Sequence, residues 1–181
     1  MLTRNPFIPP SVPVLKTEPP TIFTRNGNDI TRRFPLIRDV LLALPCEAAI
    51  IDAELVACDS EGKPDFDGLI RRQNHELCIW CFDLLSLDGV DMRPEVLRER
   101  KRNLEKLVHE ADEHTLRYSA EFSDPIRLLE VAEQWKLEGV VSKKADQPYR
   151  SGKHLGWIKV KTASWRVANL DRWELSQRQA R

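Results

Sequence analysis

A chain of 181 residues with 41% hydrophobic composition is long enough for one domain with a small appendage. Its 28 Lys/Arg and 28 Asp/Glu cancel, which excludes a global basic field of the kind that draws proteins onto polyanions. No apolar leader opens the N-terminus and no run approaches a membrane span, so a cytoplasmic location, reduced cysteines and no membrane partner are expected.

In chain order, six of the twelve prolines fall in residues 1–20, "NPFIPPSVPVLKTEPP" among them. Proline fixes φ and lacks a donor, so this segment reads as extended, and neither as a helix nor as a central strand. "TIFT" (21–24) reads as a short strand and "RNGND" (25–29) as a turn on Asn-Gly. "FPLIRDVLLAL" (34–44) has apolar residues at helical spacing behind a leading Pro.

"AAIIDAELVACD" (48–59) is a strand closed by the turn "DSEGK", "DFDGLIRR" (65–72) a short helix, and "LCIWCFDLL" (77–85) another strand. After a turn at "LDGVD" comes an amphipathic helix over 93–108 with Pro94 in its first turn. "TLRYSA" (115–120) is a strand, and 124–139 a helix capped by Asp124 and ended by Gly139. "VVSKK" and "WIKVKT" are strands, and 164–181 is a polar tail or lone helix. This mixture of hairpins and single helices indicates an α+β fold rather than a doubly wound sheet.

Four features carry chemistry. On the strand "IIDAELVA", Asp52 and Glu54 share a face, and two carboxylates there need a compensating cation or donor; ion pairs on an exposed face would also serve. Glu138 falls at an expected helix C-terminus, where the dipole disfavours an anion, so a salt bridge to Lys143 or Lys144, or a divalent cation, should stand nearby. In "WIKVKT", Lys159 and Lys161 alternate with Ile158 and Val160, placing two ammonium groups on one face with apolar residues behind. From Lys136 to Arg166 eight Lys/Arg face two acids, a local basic surface suited to a phosphate-bearing ligand. Phe82 by itself reads as a strand aromatic. "CIWC" reads as core, because Cys78 and Cys81, three apart on a strand, face opposite sides and cannot close on one zinc.

Paired lysines, carboxylates and an aromatic on sheet strands are the parts that bind a nucleoside triphosphate. "TRNGNDITRRFP", "IIDAELV", "FDLL", "EGVVSKK" and "WIKVKT", in that order, resemble the adenylation domain of ATP-dependent DNA ligases, most of all the bacterial end-joining repair type. The resemblance implies an ATP-grasp-like nucleotidyltransferase fold of antiparallel sheets and flanking helices. It runs from Phe7 to about Arg172, with the adenylation-domain core at 21–163 between the Pro-rich segment 1–20 and the tail 164–181. It further implies ATP and Mg²⁺ (or Mn²⁺) as cofactors, with nicked or broken double-stranded DNA and a DNA end-binding repair protein as partners, at the nucleoid.

By the same resemblance, Glu54 contacts the ribose or the metal, Phe82 packs on adenine, and Glu138 is a metal ligand. Lys159 and Lys161 meet the phosphates, and Arg25 lies near the AMP phosphate. In that family a lysine of a K-x-D-G motif attacks the α-phosphate of ATP and carries AMP as a phosphoramidate. No K-x-D-G occurs in the 181 residues, and Pro20 runs directly into Thr21 where the motif is expected. Motif III also reads D-A-E in place of D-G-E, and the C-terminal OB domain is expected to be absent. The resemblance therefore implies two readings: a ligase by descent that does not adenylylate itself, or an inactive remnant that binds nucleotide or DNA. Loss of the motif's hairpin is expected to leave a neighbouring strand with an unpaired edge.

Overall fold

The computed structural model describes residues 2–5, 12–16, 19–24, 26–58, 76–111, 114–151 and 156–170. Arg25, "DSEGK" and the helix expected at 65–72 lie outside the described residues, as does the tail beyond Leu170. Two compact units are formed. Among the described residues no helix is long and apolar enough to cross a membrane.

The larger unit is organised by two long antiparallel strands, β4 (Ala49–Cys58) and β5 (Glu76–Leu87). Around them lie β2 (Val12–Lys16) and β3 (Thr21–Ile22) on one side and β6 (Val90–Asp91) on the other, in the order β3-β2-β4-β5-β6. A short β7 (Leu116–Tyr118) runs parallel to β5 beside Ile79–Cys81. Alternation sends Ile51, Ala53 and Leu55 of β4 and Ile79 and Cys81 of β5 into one buried core. Helix α1 (Pro35–Leu42) contributes Ile37 and Leu41 to that core. Helix α2 (Leu97–His109) adds Leu104, Leu107 and Val108.

The Pro-rich segment corrects one expectation: β2 lies between β3 and β4. Pro13 is tolerated because β3 reaches only Val14 and Leu15, so Pro13 has a strand on one side alone, opposite Asp52. β2 covers Ala49–Ala53 of β4, and among the described residues no strand flanks Glu54–Cys58 on that side. The turn after β3 holds Gly27 at φ 79°, with Thr24 and Asn28 bonded across it. Asp88 and Gly89, at φ 46° and 81°, close the β5–β6 hairpin as a two-residue turn. Helix α2 starts at Leu97, later than the sequence suggests. Asp91 accepts from the backbone and guanidinium of Arg93 and holds the preceding residues in a turn. The first free N–H groups of α2 donate to the Gln147 and Ala145 carbonyls.

The smaller unit is a three-stranded antiparallel sheet, β1 (Leu2–Asn5), β8 (Gly139–Lys144) and β9 (Trp157–Lys161), with helices α3 (Pro125–Gln134) and α4 (Ala163–Ala168). Asp124 caps α3 by accepting from the N–H groups of Ile126 and Arg127, as expected. The helix does not run to Gly139, however. Lys136 takes the left-handed conformation at φ 54°, and the Leu137 N–H donates back to Ala132, closing the helix early. Gly139 serves β8 instead: a Cβ there would lie 2.1 Å from the Val160 carbonyl oxygen. Thr162 joins the elements, donating to the Leu137 carbonyl at 2.6 Å and capping α4.

Gly139→Ala should therefore separate β9 from β8 at its first paired position and destabilise the chain by about 2 kcal/mol or more. Amide hydrogen exchange should accelerate over Val140–Lys144. Unchanged protection there would contradict the steric role.

Candidate nucleotide site

The face of β4–β5 turned away from the main core is acidic and aromatic. Asp52 and Glu54 stand on β4, as the alternation requires, and Trp80 on β5 lies directly opposite Glu54. A β-bulge then changes the pattern. Ala53 pairs with Cys81 and Asp52 with Asp83, so Phe82 is the additional residue on β5. The bulge lets Cys81 and Leu84, three apart, both enter the core, while Phe82 and Asp83 go to the other face together. Phe82 is buried beside the carboxylate strand.

Glu54 is 2% exposed, and its Oε1 has no hydrogen-bond partner among the described residues. Burial pushes its carboxyl well above the ordinary range. This is the expectation of a compensating partner for the β4 carboxylates, left unmet at Glu54 by the chain's own described residues.

Asp83 is answered differently. Arg100 of α2 grips it through both arms, Nε to Oδ1 at 2.7 Å and Nη2 to Oδ2 at 2.9 Å, with both side chains at most 2% exposed. The Tyr149 ring lies 5.8 Å from the guanidinium, and burial, with Asp52 and Asp83 nearby, raises the phenol pKa. Asp83, Arg100 and Tyr149 escaped the sequence reading. One signal for Arg100 was present, since it falls on the apolar stripe of α2 with Leu97, Leu104 and Leu107, where a charge needs a buried partner.

In the smaller unit, Glu138 and Lys161 form an ion pair, so Glu138 is bridged neither to Lys143 nor to Lys144. Glu138 also lies beyond the end of α3, just ahead of β8, so it is not at the helix C-terminus expected for it. Lys161 lies 4.1 Å from the Trp165 ring, and burial lowers its pKa. Lys143 packs on Trp157, its cross-strand neighbour, at 4.0 Å. Lys159 is exposed. Ile158, expected behind the lysines, is 52% exposed, because β9 is an edge strand covered on one side only.

The cysteines carry no metal site: among the described residues no group of three His, Cys, Asp or Glu side chains could hold a metal. Cys81 lies in the main core, its thiol pushed up to about 12 by burial. Cys78 lies on the other face with its sulfur 3.4 Å from that of Cys58, a contact that with burial raises its pKa further.

The fold is that of a nucleotidyltransferase adenylation domain. The family model of the ATP-dependent DNA ligase domain matches residues 15–161, and the chain belongs to that family. Proteins of the bacterial end-joining type are among those it resembles. Over 145 residues it is 39% identical to the multifunctional non-homologous end joining protein LigD of Pseudomonas aeruginosa, covering 77% of this chain and 17% of that protein. The ligase domain from M. tuberculosis LigD superposes with TM-score 0.74 at 25% identity, over 88% of this chain and 52% of that one. A mycobacterial DNA ligase D complexed with ATP and MES gives TM-score 0.73 at 24% identity, over 88% and 54%. The chain thus spans less than a fifth of the Pseudomonas relative and about half of each solved chain.

The state of Glu54 is open to test by pH. Its anion is penalised in the fold and not in the unfolded chain. The wild type therefore loses stability as pH rises from the ordinary carboxylate range through the raised folded-state value. Glu54→Gln abolishes that titration, so its unfolding free energy from urea titration should gain on the wild type between pH 4 and pH 8.5, by about 1–3 kcal/mol. A difference independent of pH would contradict it.

Proposed function

We propose that this chain binds ATP as the adenylation module of an end-joining DNA ligase, and that it does not adenylylate itself. The observation that carries the nucleotide reading is the buried, unpartnered Glu54 oxygen on the same sheet face as Phe82. A cation or a ribose hydroxyl satisfies such an oxygen, and a flat aromatic beside it suits a purine. The ATP held by a structural neighbour of the same fold supports the same ligand. Lys159 and Lys161 are proposed to meet phosphate oxygens, and Arg25 to lie near the α-phosphate. Mg²⁺ (or Mn²⁺) fits at Glu54 because this ion takes one or two carboxylates and completes its shell with phosphate and water oxygens. In the smaller unit Glu138 is proposed as a metal ligand, available once Lys161 releases it. A metal at Glu54 would neutralise phosphate charge, and Phe82 would fix the base.

The second half of the proposal rests on the absence of K-x-D-G and on the register of β2. Lys16, the only lysine upstream of Arg25, pairs with Ala49, whereas Glu54 lies beyond Val12 at the other end of β2. Five residues of strand place their backbones roughly 17 Å apart, farther than a lysine side chain reaches. The substrate proposed is nicked or broken double-stranded DNA in end-joining repair, in cooperation with a DNA end-binding protein and at the nucleoid. The alternative, a remnant that only binds nucleotide or DNA, is favoured by the same missing lysine.

Incubation with ATP and Mg²⁺ should leave the intact mass of the protein unchanged. A stable adenylate adduct would refute this, and mapping it would reveal the nucleophile. In calorimetric titration ATP should bind, and Lys161→Ala should weaken it roughly 10- to 100-fold through loss of a charge-assisted contact. Closure of nicks on pre-adenylylated DNA above a Lys159→Ala control separates the ligase reading from the remnant; no closure above that control leaves the remnant.

A further inference from the structure

We infer that Arg100 is a positioning residue for nucleotide recognition: by locking Asp83 it sets the β-bulge that aims Phe82, and thereby the fit of the base. The inference rests on the nucleotide-binding reading above.

A bulge is a local departure from the ladder and must be over-determined to hold one geometry. Here the residue after Phe82 supplies the lock. The Asp83 Oδ1 accepts the N–H of Leu84 at 3.0 Å, tying the carboxylate to its own backbone where the bulge ends. The same carboxylate is clamped from α2 by the two arms of Arg100. Nη1 of Arg100 donates to the Glu95 carbonyl at 2.6 Å and to that of Gln147 at 3.4 Å, and the Tyr149 ring packs beside it. Every nitrogen of the guanidinium is thus engaged inside the unit and Arg100 is 2% exposed, so it offers nothing to a phosphate.

Stability alone is a weak reason for such a pair. Desolvating two charges offsets most of their attraction, and apolar residues of similar volume often serve as well. What apolar residues lack is direction. A bidentate clamp fixes the plane and position of Asp83, hence the backbone at Phe82–Leu84 and with it the direction of Phe82.

The test compares ATP with inorganic tripolyphosphate, which has the phosphates and no base, by calorimetric titration. The variants are Arg100→Lys, which keeps the charge without the fork, and the double variant Asp83→Asn with Arg100→Gln, which leaves no unpaired buried charge. Both should weaken ATP binding tenfold or more and leave tripolyphosphate within twofold. Unchanged ATP affinity in folded variants overturns the inference, as does equal loss for both ligands. Failure of both variants to fold would make the pair a stability element and overturn it too. If the wild type binds no ATP, the nucleotide reading falls along with this one; if it does and the variants match it, only the role of Arg100 falls.

Discussion

The antiparallel ladder between β4 and β5 is the constraint on which the larger unit depends. Its alternation divides the two strands into an apolar set, shared with α1 and α2, and a set holding Asp52, Glu54 and Trp80. Because every residue on one face is fixed by burial on the other, the register cannot slip by one without placing carboxylates in the core. The bulge at Phe82 is one of two register shifts that interrupt this alternation. It resets the alternation so that Leu84 returns to the core and one more aromatic and one more acid join the opposite face.

The acids of that face are handled in different ways. Asp83 is neutralised from within by Arg100, whereas an oxygen of Glu54 is buried without a partner among the described residues. A chain selected for stability alone would have no reason to keep a carboxylate in that state. The contrast on neighbouring strands is what supports the proposal that Glu54 meets a ligand.

Much of this was legible in the sequence. Period-two patterns placed β4, β5, β8 and β9, and the shared face of Asp52 and Glu54 follows from their spacing. What was not legible depends on tertiary context. Pro13 argued against an inner strand, because only the shortness of β3 shows how its missing donor is tolerated. Gly139 looked like a helix stop, although Lys136 stops the helix and Gly139 makes room for the Val160 carbonyl. The bulge at Phe82 leaves no mark on a pattern of apolar residues, and the partner of Asp83 lies seventeen positions away on another element.

The ion pair between Glu138 and Lys161 gives the smaller unit a particular economy of charge. An anion arriving at Lys161 displaces a carboxylate rather than water, so its binding is an exchange of counter-ions within the protein. Were a phosphate to take the carboxylate's place, as proposed, the exchange would leave Glu138 without its partner. A metal ion carried by that phosphate would then, on the proposed reading, find a carboxylate newly vacated.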